Sequence, residues 1–173
     1  MSGEKKNWAV SLPKGGVTSK SMSILMGVIS WEERGSRARE GLLPMRFLEG
    51  TWVGEGETRG EPVRARLVVV RCFQDTYLEA RETLMDASGE VQHEDVCFYR
   101  FDPENMVVKV TQHMAHAWTS DSLVQPEPWG ARWYSGPFSP RVEWRLLAAD
   151  RMVEEVYDPE ESEPSLSITY RRA

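Results

Sequence analysis

The sequence predicts an all-β fold, an up-and-down antiparallel β-barrel of about ten strands around a cavity, with a short arm before it. Three observations carry that expectation. The run Phe47-Leu-Glu-Gly-Thr-Trp-Val-Gly-Glu-Gly-Glu-Thr58 places Trp52, Gly54, Gly56 and Thr58 on one face of an extended segment, a large ring beside two positions with no side chain. Glycine weakens a strand unless the sheet bends sharply or another backbone approaches closely, and both conditions arise where the first strand of a small barrel closes over its base. After Met45, extended segments alternate with turn chemistry roughly every 8 to 14 residues, and no amphipathic helix of about twelve residues interrupts them.

Each segment has its own signal. Thr51–Thr58 is the first strand, turned by Arg59-Gly60-Glu61-Pro62. Val63–Phe73 starts by alternating Val63, Ala65 and Leu67 against Arg64 and Arg66, and Leu67–Val70 is wholly apolar. Thr76–Met85 ends at Asp86-Ala-Ser-Gly-Glu90, a hairpin connection. Val91–Phe101 and Met106–His113 flank Asp102-Pro-Glu-Asn105, a turn with proline at its second position. Ala117–Val124 and Ala131–Tyr134 are weaker segments among prolines and tryptophans, Pro140–Ala148 and Met152–Tyr157 flank Ala149-Asp-Arg151, and Ser165–Arg172 closes the series. Sequential strands with short links favour an up-and-down barrel over a Greek-key sandwich, and a barrel of this strand number can enclose one small ligand. The expected division is an N-terminal arm over residues 1–42 and a barrel domain over 43–173.

Composition narrows the class of function. The chain has 173 residues, 40% hydrophobic and 28% charged, as expected of one globular domain with an appendage. A formal charge of −6 argues against nucleic acid, whose phosphates require a basic face. Cys72 and Cys97 lie in apolar strand-like runs, too far apart in sequence for a Cys-x-x-Cys pattern; they allow one disulfide, and read first as reduced buried thiols of a cytoplasmic protein. In the arm, Lys5, Lys6, Lys14 and Lys20 precede the apolar stretch Met22–Trp31. That stretch is short of the roughly 20 residues that span a bilayer, and Glu32-Glu33-Arg34 follows without a small-x-small cleavage site. A loosely ordered arm, or one strand or helix docked on the domain, is the expectation there, with no membrane partner. Met22, Met26 and Met45 leave the true start of translation open.

The opening Phe47-Leu-x-Gly-Thr-Trp-x-Gly resembles the start of the nitrobindin-type barrels and their bacterial relatives, ten-stranded members of the wider lipocalin and fatty-acid-binding group. His93-Glu94 before Phe98-x-Arg100-x-x-Pro103 is similar to that family's middle hairpin, and Leu166-x-Ile168-Thr169-Tyr170-Arg171-Arg172 to its last strand. The resemblance spans residues 43–173. It implies heme held by a histidine just before the closing leucine, but Ser165 stands at that position here and Ser167 at the alternate one. A hydroxyl is a poor heme ligand beside imidazole, so the resemblance carries the fold and no cofactor is expected. The resemblance further implies that a basic residue of the last strand, Arg171 or Arg172, lies over Trp52 as a structural lock, with Gly54 and Gly56 alongside.

Candidate sites are few. His113 and His116 are three apart, so in a regular strand they face opposite ways, and a metal or heme site there needs a break in Gln112-His-Met-Ala-His-Ala-Trp118. His93 reads as exposed or at an edge. Glu55 and Glu57 face away from Trp52, toward Arg64 and Arg66 of the next strand. Glu154 and Glu155 are adjacent, face opposite ways and make no catalytic pair. No nucleophile-elbow, zinc-protease or phosphate-loop motif is present. Four of the seven tryptophans fall between Trp118 and Trp144, among prolines and glycines, where aromatic rings either line a pocket or plug the barrel.

The leading expectation is a non-enzymatic binding protein, monomer or homodimer, for a small and largely apolar molecule. Its cavity would be lined by Tyr99, Met106, Gln112, His113, Met114, Trp118 and Trp133, with His113, Gln112 and Tyr99 orienting the polar end. Met85 would add adaptable lining if it points inward. The alternatives are a nitrobindin-type heme protein (nitric oxide binding or peroxynitrite isomerisation) using His113 or His116, and a filled barrel acting as a protein-interaction module.

Overall fold

The computed structural model describes residues 30–134, 136 and 138–173. The lysines and most of the apolar stretch of the arm lie outside them. The described chain opens with helix α1 (Trp31–Gly41), set by a sequence start signal: the Ser30 hydroxyl accepts the Glu33 backbone N–H at 3.1 Å, and Glu32 and Glu33 occupy the first turn, where the helix dipole favours negative charge. Ala38 is its buried residue, and its last residue, Gly41, packs on the Phe101 ring so closely that a Cβ there would lie 2.1 Å from the ring. A 3-10 turn (Leu43–Leu48) follows and buries Met45 and Leu48.

Ten antiparallel strands close into a barrel: β1 (Gly50–Thr58), β2 (Glu61–Cys72), β3 (Tyr77–Asp86), β4 (Val91–Asp102), β5 (Val107–Met114), β6 (Thr119–Glu127), β7 (Gly130–Tyr134), β8 (Arg141–Ala148), β9 (Arg151–Tyr157) and β10 (Leu166–Arg172). Each strand pairs with its sequence neighbours, and β1 pairs with β10 to remove both edges. The all-β, ten-stranded expectation is met, and every expected segment corresponds to one strand. Alternation is clearest in β2, where Val63, Ala65, Leu67 and Val69 are buried and Arg64 and Arg66 are exposed.

The seam between β1 and β10 explains the opening glycines. Gly54 lies opposite Tyr170 and Gly56 opposite Ile168. A Cβ at Gly54 would meet Ile168 Cγ2 at 2.6 Å and the Tyr170 ring at 2.8 Å, whereas one at Gly56 would meet the Ser167 carbonyl oxygen at 1.9 Å. At the base, Trp52 is fully buried and donates its indole N–H to the Leu48 carbonyl at 2.8 Å. Of the two arginines expected over this ring it is Arg172 that lies there, its guanidinium carbon 4.3 Å from the ring centroid, and the same guanidinium donates to the Glu49 carbonyl at 2.6 Å. Trp52, Met45 and Leu48 thus stop one end of the barrel.

Candidate functional site

A cavity of about 430 Å³ occupies the barrel above that base. Its lining includes Thr58 and Arg59, Gln92, Pro140 and Ser165, so it reaches the end of the barrel where the chain passes from β1 to β2, β3 to β4, β7 to β8 and β9 to β10. The walls are apolar, with Val63, Leu67, Ala80, Leu84, Val142, Val156 and Leu166 joined by Tyr99, Trp133 and Trp144. Tyr99 meets Trp133 edge to face with centroids 5.8 Å apart.

Inside this apolar lining sits a group of carboxylates. Glu82 on β3, Asp95 on β4 and Glu154 on β9 are buried and line the cavity. Glu82 and Asp95 are directly opposed across β3 and β4, an arrangement that disfavours two like charges. Glu154 comes from beyond β10, β1 and β2 to hydrogen-bond with Glu82. The Tyr170 hydroxyl, on β10, donates to Glu82 and lies 3.4 Å from Glu154 Oε2. Burial, followed by the charge of its neighbours, pushes both glutamates above the ordinary carboxylate range, so the hydrogen-bonded pair shares a proton.

Asp95 has partners of its own. Gln112 donates its side-chain amide to Asp95 Oδ2, and His93 Nε2 lies 3.6 Å from the same oxygen. The Asp95 carboxylate raises the His93 pKa, against the lowering effect of its partial burial. His93 was expected at an exposed edge and instead lines the cavity, half-buried. A register shift between Leu84 and Met85 pairs Leu84 with His93 and Met85 with Val91, leaving Gln92 as the extra residue. Such a bulge re-aims the side chains beside it, and Gln92 and His93 both reach the cavity.

Among the described residues two buried side-chain polar atoms have no partner: Nε1 of Trp133 and Nε1 of Trp144. Both rings face the cavity from β7 and β8. An unmade hydrogen bond at a buried donor costs on the order of 1–3 kcal/mol. Trp144 is also the cross-strand neighbour of Glu154 and lies 5.9 Å from the Tyr170 ring. Donors without acceptors and carboxylates without cations therefore share one compartment.

The expected lining residues divide. Tyr99, Gln112, Met114 and Trp133 come together in the cavity. Met106, Trp118 and His113 do not. Met106 sits in the turn after β4 at φ 55° with 71% exposure, and Trp118 sits in the turn before β6 with 60% exposure. His113 follows the inward Gln112 by one residue and so points out, where Nδ1 lies 3.1 Å from Thr119 Oγ1 and the ring meets Phe98 edge to face. His116 is exposed in the same turn as Trp118, so the two histidines flank no common site. Among the described residues no group of three or more His, Cys, Asp and Glu side chains could hold a metal ion. Cys72 and Cys97 are free thiols.

Sequence reasoning missed the carboxylates, although a signal for them exists. Leu78, Ala80 and Leu84 fix the inward phase of β3, and Glu82 falls on it. Asp95 shares the phase of Cys97 and Tyr99, and Glu154 that of Met152. A carboxylate on the apolar beat of a strand is the mark of a polar group inside the barrel.

No helix among the described residues is long and apolar enough to cross a membrane. No protein-family model matches the chain, and no curated protein matches it in sequence.

Proposed function

We propose that the protein binds a small, largely apolar molecule inside its barrel, without catalysing a reaction on it. The observation that carries this reading is the 430 Å³ cavity with apolar and aromatic walls and a few convergent polar groups, the make-up of a small-molecule site. The unpartnered indole N–H groups of Trp133 and Trp144 add to it, since an acceptor on a ligand would satisfy them. Two free thiols support a reducing compartment such as the cytoplasm, and the net charge of −6 argues against nucleic acid.

The nitrobindin-type reading has the ten-stranded barrel and the three motifs in its favour, and its chemistry has less. Ser165 lines the cavity at the place of the expected histidine, while His113 and His116, the proposed substitutes, lie outside it. A filled barrel acting through its surface is disfavoured by the cavity volume itself.

Native mass spectrometry of the protein as isolated tests the binding reading, run beside a melting and tryptophan-emission screen of apolar compounds and a hemin titration. A retained small molecule, or a compound that raises the melting temperature and shifts emission, is the expected result. No retained mass and no response to any compound class would overturn it. A one-to-one Soret band would replace it with the heme reading.

A further inference from the structure

We propose that the ligand carries a protonated amine, held by the carboxylates of Glu82 and Glu154, on an apolar body packed between Trp133 and Trp144. This deepens the binding reading above and rests on it.

The charge inside the barrel is unbalanced. The groups facing Glu82 and Glu154 from the surrounding strands are Asp95, His93, Cys97 and Tyr99 on β4 and Tyr170 on β10, with Arg59 at the rim. Against three carboxyls this leaves His93 and Arg59 as the cationic groups among the described residues lining the cavity. His93 is committed to Asp95, and Arg59 pairs with Asp158 outside the cavity, 3.5 Å away. Among the described residues neither Glu82 nor Glu154 forms an ion pair: the charge of His93 reaches Glu82 only as a weaker, longer-range effect, and their hydrogen bonds run to each other and to Tyr170. A carboxylate ligand would add a like charge, and a hydrocarbon would leave both indoles unsatisfied and the buried carboxyls without a counter-charge. An ammonium group supplies donors and charge for the glutamates, and an ether, hydroxyl or carbonyl oxygen on the same molecule gives the indoles an acceptor.

The arrangement also fixes the proton balance. The empty pair holds one proton between two carboxyls, because two charges side by side in a buried site repel. When an ammonium ion arrives, both carboxyls can ionise. The pair gives its shared proton to the solvent, the amine keeps its own, and one ligand cation enters for each proton released.

The probes are three naphthalene derivatives of one size: naphthylmethylamine, naphthalenemethanol and naphthoic acid. Calorimetry near neutral pH, in buffers of different ionisation heat, measures affinity and proton release together. The expected result is binding of the amine at least about tenfold tighter than the alcohol, with the acid weakest, and an amine enthalpy that varies with the buffer. The paired substitution Glu82→Gln with Glu154→Gln should bring the amine to the affinity of the alcohol and abolish the buffer dependence, leaving the alcohol unchanged. Equal binding of amine and alcohol, tighter binding of the acid, or an amine preference that survives the substitution would overturn this inference while the binding reading stands. Should the substituted protein not fold, the buffer dependence in the unsubstituted protein decides the matter: none overturns the inference. If none of the three binds, this inference falls, and the wider compound screen and native mass spectrum decide the binding reading.

Discussion

Tyr170 on the last strand donates its hydroxyl to Glu82 on the third, across a barrel interior that is otherwise mostly hydrocarbon. One side chain of that strand thus serves the polar cluster while its neighbour Arg172 serves the base. The phenol is fully buried and its pKa is raised, by burial first and then by the two glutamates, so it remains a hydrogen-bond donor at any physiological pH.

The glutamate pair makes stability depend on pH. A carboxyl whose folded pKa is raised binds a proton in the folded state that the unfolded chain has already lost. Its contribution is full below the ordinary value of 4.5 and fades as pH rises toward the folded value. His93, raised from 6.5, acts in the same direction: its contribution is full below that value and fades above it. Urea denaturation between about pH 4.5 and 8 should show stability falling, with a slope of at most about 1.4 kcal/mol per pH unit for each proton. Glu154→Gln should flatten that slope and gain on the unsubstituted protein as pH rises. A slope unchanged by the substitution would mean that the glutamate pair is not the proton holder.

At the acid end the sign reverses. Hydrogen bonds from Lys109 and Asn105 hold Asp102 well below the ordinary carboxylate range, and those from Ser88 and other turn groups do the same for Asp86. Their contributions are present above about pH 3.8 and are lost as pH falls through the folded values. Maximum stability is therefore expected in mild acid, and Asp102→Asn should lower stability above about pH 3.8 and flatten the acid limb, leaving the slope set by the glutamates unchanged. Melting curves taken across the acid range would reveal it.

Removing the lock at the base should cost about 1–3 kcal/mol. Arg172→Ala loses both the contact over Trp52 and the bond to the Glu49 carbonyl, and Arg172→Lys should fall between, keeping the charge without the planar face. Denaturant midpoints at constant m-value would measure it. Equal loss for lysine and alanine would show that the planar group, and not the charge, carries the contact.

The two glycines of β1 should differ. Gly54→Ala presses on the buried side chains of Ile168 and Tyr170, which must repack although no backbone is met, and should cost about 1–3 kcal/mol. Gly56→Ala presses on the Ser167 carbonyl, which cannot move without opening the strand pair, and should cost more than about 3 kcal/mol. Thermal melting ranks the two, and the opposite order would count against the seam as described.

The strands were legible because each carries its own local evidence. Alternation in β2, the Asp86–Glu90 hairpin connection and the Asp102–Asn105 turn need no knowledge of the rest of the chain. Helix α1 was foreseen only as one option for a docked arm, though Ser30 and Glu33 mark its start. The site was less legible, because it joins β3, β4, β9 and β10, and no local pattern says which distant strands face one another. The phase of Glu82, Asp95 and Glu154 was readable, but their meeting was a property of barrel closure. His93 shares the inward phase of Asp95, Cys97 and Tyr99 and was readable in the same way; what the one-residue bulge adds, and no local pattern shows, is Gln92 at the cavity beside it.

Closure through β1 and β10 sets a schedule for the nascent chain. Until β10 has left the ribosome, the outer edges of β1 and β9 have no partner, Gly54 and Gly56 border nothing, and Glu82 and Glu154 lack their phenol. The barrel thus completes late, through contacts between segments far apart in the chain, the slow and aggregation-exposed class of folding event. Synthesis slowed before β10, or a chain cut short there, would yield an open sheet with two sticky borders, a substrate for chaperones before it is a receptor for anything else.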